Sequence, residues 1–217
     1  MSSFTLNCKK CDRLARFLTE VRAKHPDYHA RPVPSFGDPD ARLLVVGLAP
    51  GMHGANATGR PFTGDHAGIL LYATLHEFGF ASQAKASAVD DGLQLLDCRI
   101  TNAVRCLPPK NKPNGAEVNT CNRYLAEELL QLSPGSVVLA LGGVAHKAVI
   151  KAVKLRQADC TFGHGTEFSL PGELTLLSSY HCSRYNTQTR RLTPAMFADV
   201  FRQARAHLDK SQQASVA

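Results

Sequence analysis

Short apolar runs that alternate with helix-like segments constrain the fold of this chain more than any other feature. Residues 42–47 and 137–141 are rich in branched apolar side chains, as buried strands are, and residues 98–104 and 174–179 indicate two further strands. Amphipathic helical patterns separate these runs, and another covers residues 6–23. The alternation predicts an α/β fold with a mostly parallel sheet and helices on both of its faces. In such sheets, ligands bind beyond the carboxyl ends of the strands.

The chain length and its last segments define the expected domain. The final predicted helix covers residues 194–208, and we expect residues 210–217 to form a disordered tail. A length of 217 residues fits one domain, so we assign residues 1–209 to a single domain.

The balance of charge narrows the set of partners. Lys and Arg number 25 against 18 Asp and Glu, and the resulting net charge of +7 favours partners that carry phosphate groups. No apolar run approaches the roughly 20 residues of a membrane-spanning helix. The N-terminus also lacks the pattern of a secretory signal. We therefore expect a cytoplasmic protein with no membrane partner.

The chain has seven cysteines, an odd count, and no recognisable export signal. Both observations favour a metal or cluster site over a complete set of disulfides. Cys8 and Cys11 form one candidate pair, and Cys106 and Cys121, separated by fourteen residues, form another. Four thiolates suit tetrahedral zinc or an iron–sulfur cluster, and the alternative is burial of all four on helix faces. The other three cysteines are predicted to be buried in the core: Cys98, Cys160 and Cys182.

A glycine-rich loop, residues 47–65, follows the first predicted strand. Its sequence, GLAPGMHGANATGRPFTGD, contains five glycines in nineteen positions and matches neither common glycine motif for binding phosphate. So many glycines indicate a backbone that closely approaches a ligand, and the alternative is a long structural loop. The loop also supplies polar groups and one aromatic ring: His53, Asn56, Arg60, Phe62 and Asp65.

This loop, TNAVRCLPPKNKP at residues 101–113 and SSYHCSRYNTQT at residues 178–189 together resemble the three signature segments of family 5, or type b, uracil-DNA glycosylases. With the cysteine pairs included, the resemblance covers residues 8–197. It implies a single three-layer α/β/α domain with a central four-stranded parallel sheet. It also implies a structural four-iron, four-sulfur (4Fe-4S) cluster with these ligands: Cys8, Cys11, Cys106 and Cys121.

The resemblance further implies a reaction. It is the hydrolysis of the N-glycosidic bond that joins uracil, or another deaminated or modified base, to deoxyribose, which starts base excision repair. The expected partner is double-stranded DNA that contains a damaged base, and the target nucleotide must be flipped out of the duplex. The mechanism needs only a monomer. No lysine matches a Schiff-base nucleophile, so we expect glycosylase activity without strand cleavage.

Several pocket roles follow from the positions that match the family. We expect Phe62 to stack on the base, Asn102 to pair with its edge, and His181 to donate a hydrogen bond to the leaving base. The alternatives are a core ring, a backbone cap and a structural hydrogen bond, respectively. Ala49 stands where related glycosylases carry an acidic or amide side chain. With Gly51 beside it, this small residue favours a roomy base-binding pocket.

The side chain that positions the attacking water is less determined. Three polar residues are candidates for this catalytic role: Asn56, Asp65 and Asn111. For Asp65, an equally good interpretation is the N-cap of the helix that follows. Because an amide is a poor base, we expect the chemistry to depend mainly on stabilising the sugar cation.

Residues near the three loops are expected to contact DNA. Arg184 and Tyr185 match a segment that enters the minor groove and fills the gap left by the flipped base. Basic residues that border the loops are predicted to bind phosphates: Arg60, Arg105, Lys110, Lys112, Arg190 and Arg191.

Two other functions fit the same sequence. The main alternative is a non-catalytic module that holds a damaged, flipped base on the same fold. An iron–sulfur electron carrier is disfavoured, because the polar loops would then have no purpose.

Overall fold

One mixed sheet forms the centre of the protein, of which the computed structural model describes residues 4–216, with side chains for residues 4–213. The sheet has the strand order β1-β3-β2-β4-β6-β5. Its central strands, β3-β2-β4-β6, are parallel, and β1 and β5 pair antiparallel at the two edges. The strands have these bounds: β1 Phe36–Gly37, β2 Leu43–Gly47, β3 Cys98–Asn102, β4 Val137–Leu141, β5 Glu167–Leu170 and β6 Leu174–Ser179.

The expected four-stranded parallel sheet is present, but the whole sheet has six strands. The two additional strands are edge strands that carry little apolar pattern. β1 has only two residues and lies in a proline-rich stretch, while β5 alternates exposed and more buried positions. Neither forms an apolar run of the kind that identifies a central strand.

Seven α-helices surround the sheet within the described residues: α1 Asp12–Lys24, α2 Ala55–Thr58, α3 His66–Glu77, α4 Gly115–Leu130, α5 Gly143–Ala152, α6 Arg184–Gln188 and α7 Pro194–Val216. The first helix begins at Asp12 and not near residue 6, because Cys11 occupies the N-cap with extended backbone. The expected tail at residues 210–217 is wrong as far as Val216, since α7 continues to that residue. Ala217 lies outside the described residues.

The two faces of the sheet bury separate apolar clusters. On β2, Leu43 and Val45 pack with the cluster that contains α3 and α7. Leu44 and Val46 point to the other face, where the cluster includes α4 and α5. Helices therefore cover both faces, as the three-layer expectation requires. The three cysteines predicted for the core are buried: Cys98, Cys160 and Cys182.

The carboxyl edge of the parallel strands is where the three motif loops meet. The segments that follow β2 and β3 remain hydrogen-bonded to each other. Ala103 N–H donates to Gly47 O at 2.9 Å, and Val104 N–H donates to Leu48 O at 3.0 Å. Beyond this edge the loops diverge and leave a pocket. Within the described part of the chain, no helix is long and apolar enough to cross a membrane.

Candidate active site

A pocket of about 430 Å³ lies at the carboxyl edge, between the glycine-rich loop, the end of β3 and the loop after β6. All of the expected catalytic and base-binding residues except Asn56 line it: Ala49, Gly51, Phe62, Asp65, Asn102, Asn111 and His181. Arg184, which was predicted to contact DNA, also lines the pocket. Side chains separated by more than a hundred residues in sequence are thereby brought to one cavity.

Phe62 forms an aromatic wall of this pocket. Its side chain is largely buried, at 6% exposure, and its backbone has a left-handed φ of 55°. Left-handed backbone is costly for a bulky residue, so the surrounding loop must hold Phe62 in place. The ring lies 6.0 Å from the His181 ring, with 28° between the two planes.

Gly47, the last residue of β2, makes room for two of the pocket side chains. A Cβ atom at this position would lie 2.3 Å from Asn102 Oδ1 and 2.7 Å from the Phe62 ring. Asn102 is the register partner of Gly47 on β3 and is buried. A glycine at the end of β2 therefore allows the amide and the aromatic ring to reach the same pocket.

Asp65 both caps a helix and lines the pocket. Its Oδ1 accepts the Gly68 N–H at 2.9 Å, so the N-cap interpretation of this residue is confirmed. Burial raises the pKa of the Asp65 carboxyl above its ordinary value, although hydrogen bonds from the backbone oppose the shift. A Cβ atom at Gly54 would lie 2.6 Å from the Asp65 carboxylate. The glycine-rich loop thus packs directly against this acid.

His181 follows β6 and is half-buried on the pocket wall. Desolvation lowers the pKa of its imidazole to about 4, so the ring is neutral at pH 7. The Asn186 side chain donates to the His181 carbonyl oxygen at 2.8 Å, which anchors the backbone that carries the ring. A neutral imidazole at this position offers one N–H donor to a ligand in the pocket.

The two asparagines proposed for the water side have different environments. Asn111 lines the pocket from a short 3₁₀ turn, where its backbone φ is 54°. Asn56 does not line the pocket: it is fully buried, and its Nδ2 donates to Met52 O at 3.4 Å. Its Oδ1 has no hydrogen-bond partner. Of the two asparagines only Asn111 lines the pocket, and the catalytic role of Asn56 stays a prediction.

The sequence did not indicate His66 as a pocket residue. Its Nε2 lies 3.1 Å from Thr187 Oγ1, so a hydrogen bond joins the start of α3 to α6. His66 also lines the pocket. The two partners are 121 positions apart, and its place directly after Asp65 was the only available signal.

The rim of the pocket is open to solvent. α6 carries Arg184 and Tyr185, and the Tyr185 side chain is 71% exposed. The remaining exposed basic residues of the expected DNA-contact set lie on the neighbouring loops: Lys110, Lys112, Arg190 and Arg191. Arg191 also stacks on Tyr180, with its guanidinium carbon 4.5 Å from the ring centre.

Two arginines expected to bind phosphates do not face solvent. Arg60 is 4% exposed and pairs with Asp91 at 2.8 Å, which holds the pKa of that carboxyl well below its usual range. Arg105 is 3% exposed and pairs with Glu128 at 2.5 Å. The phosphate-binding expectation for both residues is wrong, because both guanidinium groups are buried and already paired with carboxylates.

The four cysteines of the two sequence pairs line a second pocket, between α1, α4 and the segment after β3. Cys121 Sγ accepts the backbone N–H of Arg105 at 3.3 Å, and burial raises the pKa of the Cys121 thiol to about 11. Burial and the three neighbouring thiols also raise the pKa of Cys106. In the described part of the chain, no three His, Cys, Asp or Glu side chains form a group that could hold a metal ion.

The wall of this cysteine pocket contains an unsatisfied donor. Arg105 lines the pocket, and its Nε is buried without a hydrogen-bond partner. The other guanidinium nitrogens are directed to Glu128 and Ser35. A buried donor without a partner is costly, so a group with acceptor atoms fits this pocket better than empty space does.

The fold and the two sites define a class of protein. It is a three-layer α/β protein with a polar, aromatic-walled pocket at the carboxyl edge of its parallel strands and a pocket of four thiols beside it. A family model described as the uracil DNA glycosylase superfamily matches residues 34–205. The chain belongs to the uracil-DNA glycosylase superfamily.

Similar proteins extend this match over most of the chain. A type-5 uracil-DNA glycosylase of Thermus thermophilus is 47% identical over 203 residues, which cover 91% of this chain and 92% of that protein. One of Pyrobaculum aerophilum is 41% identical over 205 residues, with coverage of 93% and 89%. One of Mycobacterium leprae is 42% identical over 207 residues, with coverage of 91% and 90%. The resemblance to family 5 is confirmed.

Proposed function

We propose that this chain is a monofunctional DNA glycosylase that removes uracil and other deaminated or modified bases from duplex DNA. The enzyme is a hydrolase of N-glycosyl bonds, and its reaction starts base excision repair. The observation that carries the proposal is the single pocket shared by Phe62, Asp65 and the neutral His181. An aromatic wall, an acid and a hydrogen-bond donor are the groups that this hydrolysis requires.

Base capture begins with extrusion of the nucleotide from the duplex, which costs a few kcal/mol. Stacking of the base on Phe62 contributes about 1–3 kcal/mol and so offsets part of this cost. The Asn102 amide pairs with the edge of the base. Ala49 contributes only a methyl group to the wall, and Gly51 contributes no side chain, so bases larger than uracil are accommodated.

His181 stabilises the departing base. As the C1′–N bond breaks, its electron pair stays with the base, negative charge builds there, and the carbonyl oxygens of the base become stronger acceptors. The neutral His181 ring donates an N–H to one of these oxygens without having to lose a proton itself. Donors of this type typically accelerate a reaction by about 10²–10³-fold.

Asp65 and Asn111 act on the water molecule that attacks C1′. The water oxygen forms the new bond to C1′ while the bond to the base breaks, and the proton lost by the water passes to the Asp65 carboxylate. The Asn111 amide orients this water. Burial raises the pKa of Asp65, which makes its carboxylate a better base than an exposed one.

The cysteine pocket fits the implied four-iron, four-sulfur cluster, with Cys8, Cys11, Cys106 and Cys121 as its ligands. The support is that all four thiols line one pocket, and four cysteine thiolates are the ligand set of such a cluster. The unsatisfied Arg105 Nε adds a donor for the bound group. When bound, the cluster supplies a covalent tie between α1, α4 and the segment after β3.

The exposed rim of the pocket binds the duplex, and the protein acts as a monomer. Arg184 and Tyr185 fill the space left by the flipped base. Phosphates on either side of the target are bound by basic residues at the rim: Lys110, Lys112, Arg190 and Arg191.

A panel of duplexes tests the proposal, each with one uracil, hypoxanthine, xanthine or hydroxymethyluracil. After incubation with the protein, alkali cleaves the strand wherever a base has been hydrolysed. Cleavage of the uracil duplex is the expected result. A duplex that is retarded on a gel but stays resistant to alkali would instead identify a non-catalytic module that binds damage.

A further inference from the structure

We infer that a basic groove along α1, separate from the base pocket, is a second contact surface for the phosphate backbone of duplex DNA. The groove has a volume of about 370 Å³ and lies between the N-terminal segment, α1 and residues 31–32. It shares no residue with the pocket that contains His181. The inference rests on the proposed function for the choice of DNA as the polymer.

Four cations converge on this groove: Lys9, Arg16, Arg22 and Arg31. All four are exposed, and no aspartate or glutamate is among the residues that line the groove. Within the described residues, none of the four takes part in an ion pair of 4.0 Å or less. Arg22 directs one Nη to the Ala30 carbonyl oxygen at 2.7 Å, and its charge remains uncompensated. This contrasts with Arg60 and Arg105, whose charges are neutralised by carboxylates.

The composition of the groove selects the ligand. Three of the four cations are arginines, whose planar guanidinium groups match the paired oxygens of a phosphate. No aromatic side chain lines the groove, so it offers no platform for stacking unpaired bases. A duplex backbone, which presents phosphates and keeps its bases stacked inside, fits these groups better than a single strand.

Contacts at both ends of α1 connect the groove with the loops near the base pocket. Four residues beyond the C-terminal end of α1, Tyr28 Oη and His53 Nδ1 are hydrogen-bonded at 2.8 Å, and His53 belongs to the glycine-rich loop. At the other end, Arg13 donates to the Lys112 carbonyl oxygen at 3.2 Å. Helix α1 and the segment after it therefore connect two of the loops that surround the base pocket. A duplex seated at the pocket extends along this helix.

The salt dependence of DNA binding tests this inference. The test variant carries Arg16→Gln and Arg31→Gln, and its control carries Arg156→Gln and Arg202→Gln, two exposed arginines outside the groove. Each variant loses two positive charges, so the change in net charge is the same in both. The probe is an undamaged duplex of about 30 base pairs, so the result does not depend on excision. Binding is measured between 50 and 200 mM KCl, and thermal unfolding verifies that both variants fold.

Each lost phosphate contact reduces the slope of log K against log salt by about 0.9. We expect the slope of the test variant to fall by about 1.8, so that its affinity drops about 12-fold less than that of the wild type over this range. The control is expected to keep the wild-type slope. An equal slope in the test variant and the wild type, or equal losses in both variants, would overturn the inference. Excision of uracil by the wild type is measured separately, so failure of the groove and failure of the proposed function are distinguishable.

Discussion

The rings of Phe62 and His181 lie 6.0 Å apart between centroids, with 28° between their planes. One residue comes from the loop after β2 and the other from the loop after β6, so the sheet itself sets their separation. In the roles proposed above, Phe62 stacks on the base and His181 donates to it, and this separation is the geometry on which both roles depend.

Replacement of His181 tests the leaving-group role. We expect His181→Ala to lower the single-turnover rate of uracil excision by about 10²–10³-fold, because a donor to the leaving base is lost. Thermal unfolding should change little, since the imidazole ring lines a pocket. His207→Ala, which alters a histidine paired with Glu167 away from the pocket, serves as control. A wild-type rate in His181→Ala would remove this residue from the mechanism.

Asp65→Asn separates the charge of Asp65 from its cap. An asparagine also accepts the Gly68 N–H at the N-cap, so α3 keeps its start. The wild-type rate should rise with pH through the raised pKa of Asp65, because only the carboxylate accepts the proton of water. We expect the variant to be about 10²–10⁴-fold slower and to lack this rise. A pH–rate profile in the variant that keeps the wild-type shape would assign the water side to another residue.

The same variant has an opposite effect on stability. The folded-state pKa of Asp65 is raised, so the folded protein binds this proton more tightly than the unfolded chain does. The ionised carboxylate therefore costs stability, fully above the raised pKa and not at all below the ordinary value near 3.8. Denaturant unfolding should find Asp65→Asn more stable than the wild type at neutral pH. The difference should disappear as the pH falls, and a constant difference would contradict this cause.

Loss of a cysteine ligand tests the cluster. We expect Cys121→Ser to lose most of its iron and visible absorption and to unfold at a lower temperature, because the tie between α1 and α4 is broken. Each kcal/mol of lost stability lowers the melting temperature of a domain of this size by about 2–4 °C. Cys160→Ala, a change of a buried cysteine in the core, is the matched control and should keep its iron. Absence of iron from the wild type would refute the assignment.

Arg60 is expected to act on stability and not on DNA. Arg60→Gln leaves the half-buried Asp91 carboxylate with only its backbone N–H partners, so we expect a lower free energy of unfolding. The pKa of Asp91 is lowered in the folded state, so this contribution is complete above its ordinary value of 3.8 and is lost as the pH falls further. The salt slope of DNA binding should not change. In Lys110→Gln, by contrast, the slope should fall by about 0.9 while stability is retained.

Local pattern was sufficient to predict the central layers of the fold. The runs that became β2 and β4 are apolar on both faces, which only a covered parallel strand explains. The edge strands β1 and β5 were not predictable, because their pairing depends on the neighbouring strand and not on their own residues. The end of α7 was missed for a similar reason, since the polar residues after Leu208 lack a repeating apolar face.

The pocket was predictable where residues matched a motif. It was not predictable where a partner distant in sequence determines the environment of a side chain. Asp65, Phe62 and His181 reach the pocket as expected. Arg60 failed as a phosphate ligand because Asp91 lies 31 residues away in a polar stretch with no signal of its own. Arg105 failed because Glu128 is on the buried side of α4, which composition does not show.

Release of free uracil from a duplex with a single uracil tests the central claim most directly. With wild-type enzyme in excess, we predict one free uracil for each duplex, a strand that stays continuous until alkali is added, and no adduct after borohydride. Uracil that stays attached to a bound duplex would contradict hydrolysis. A borohydride-trapped protein–DNA adduct would contradict attack by water.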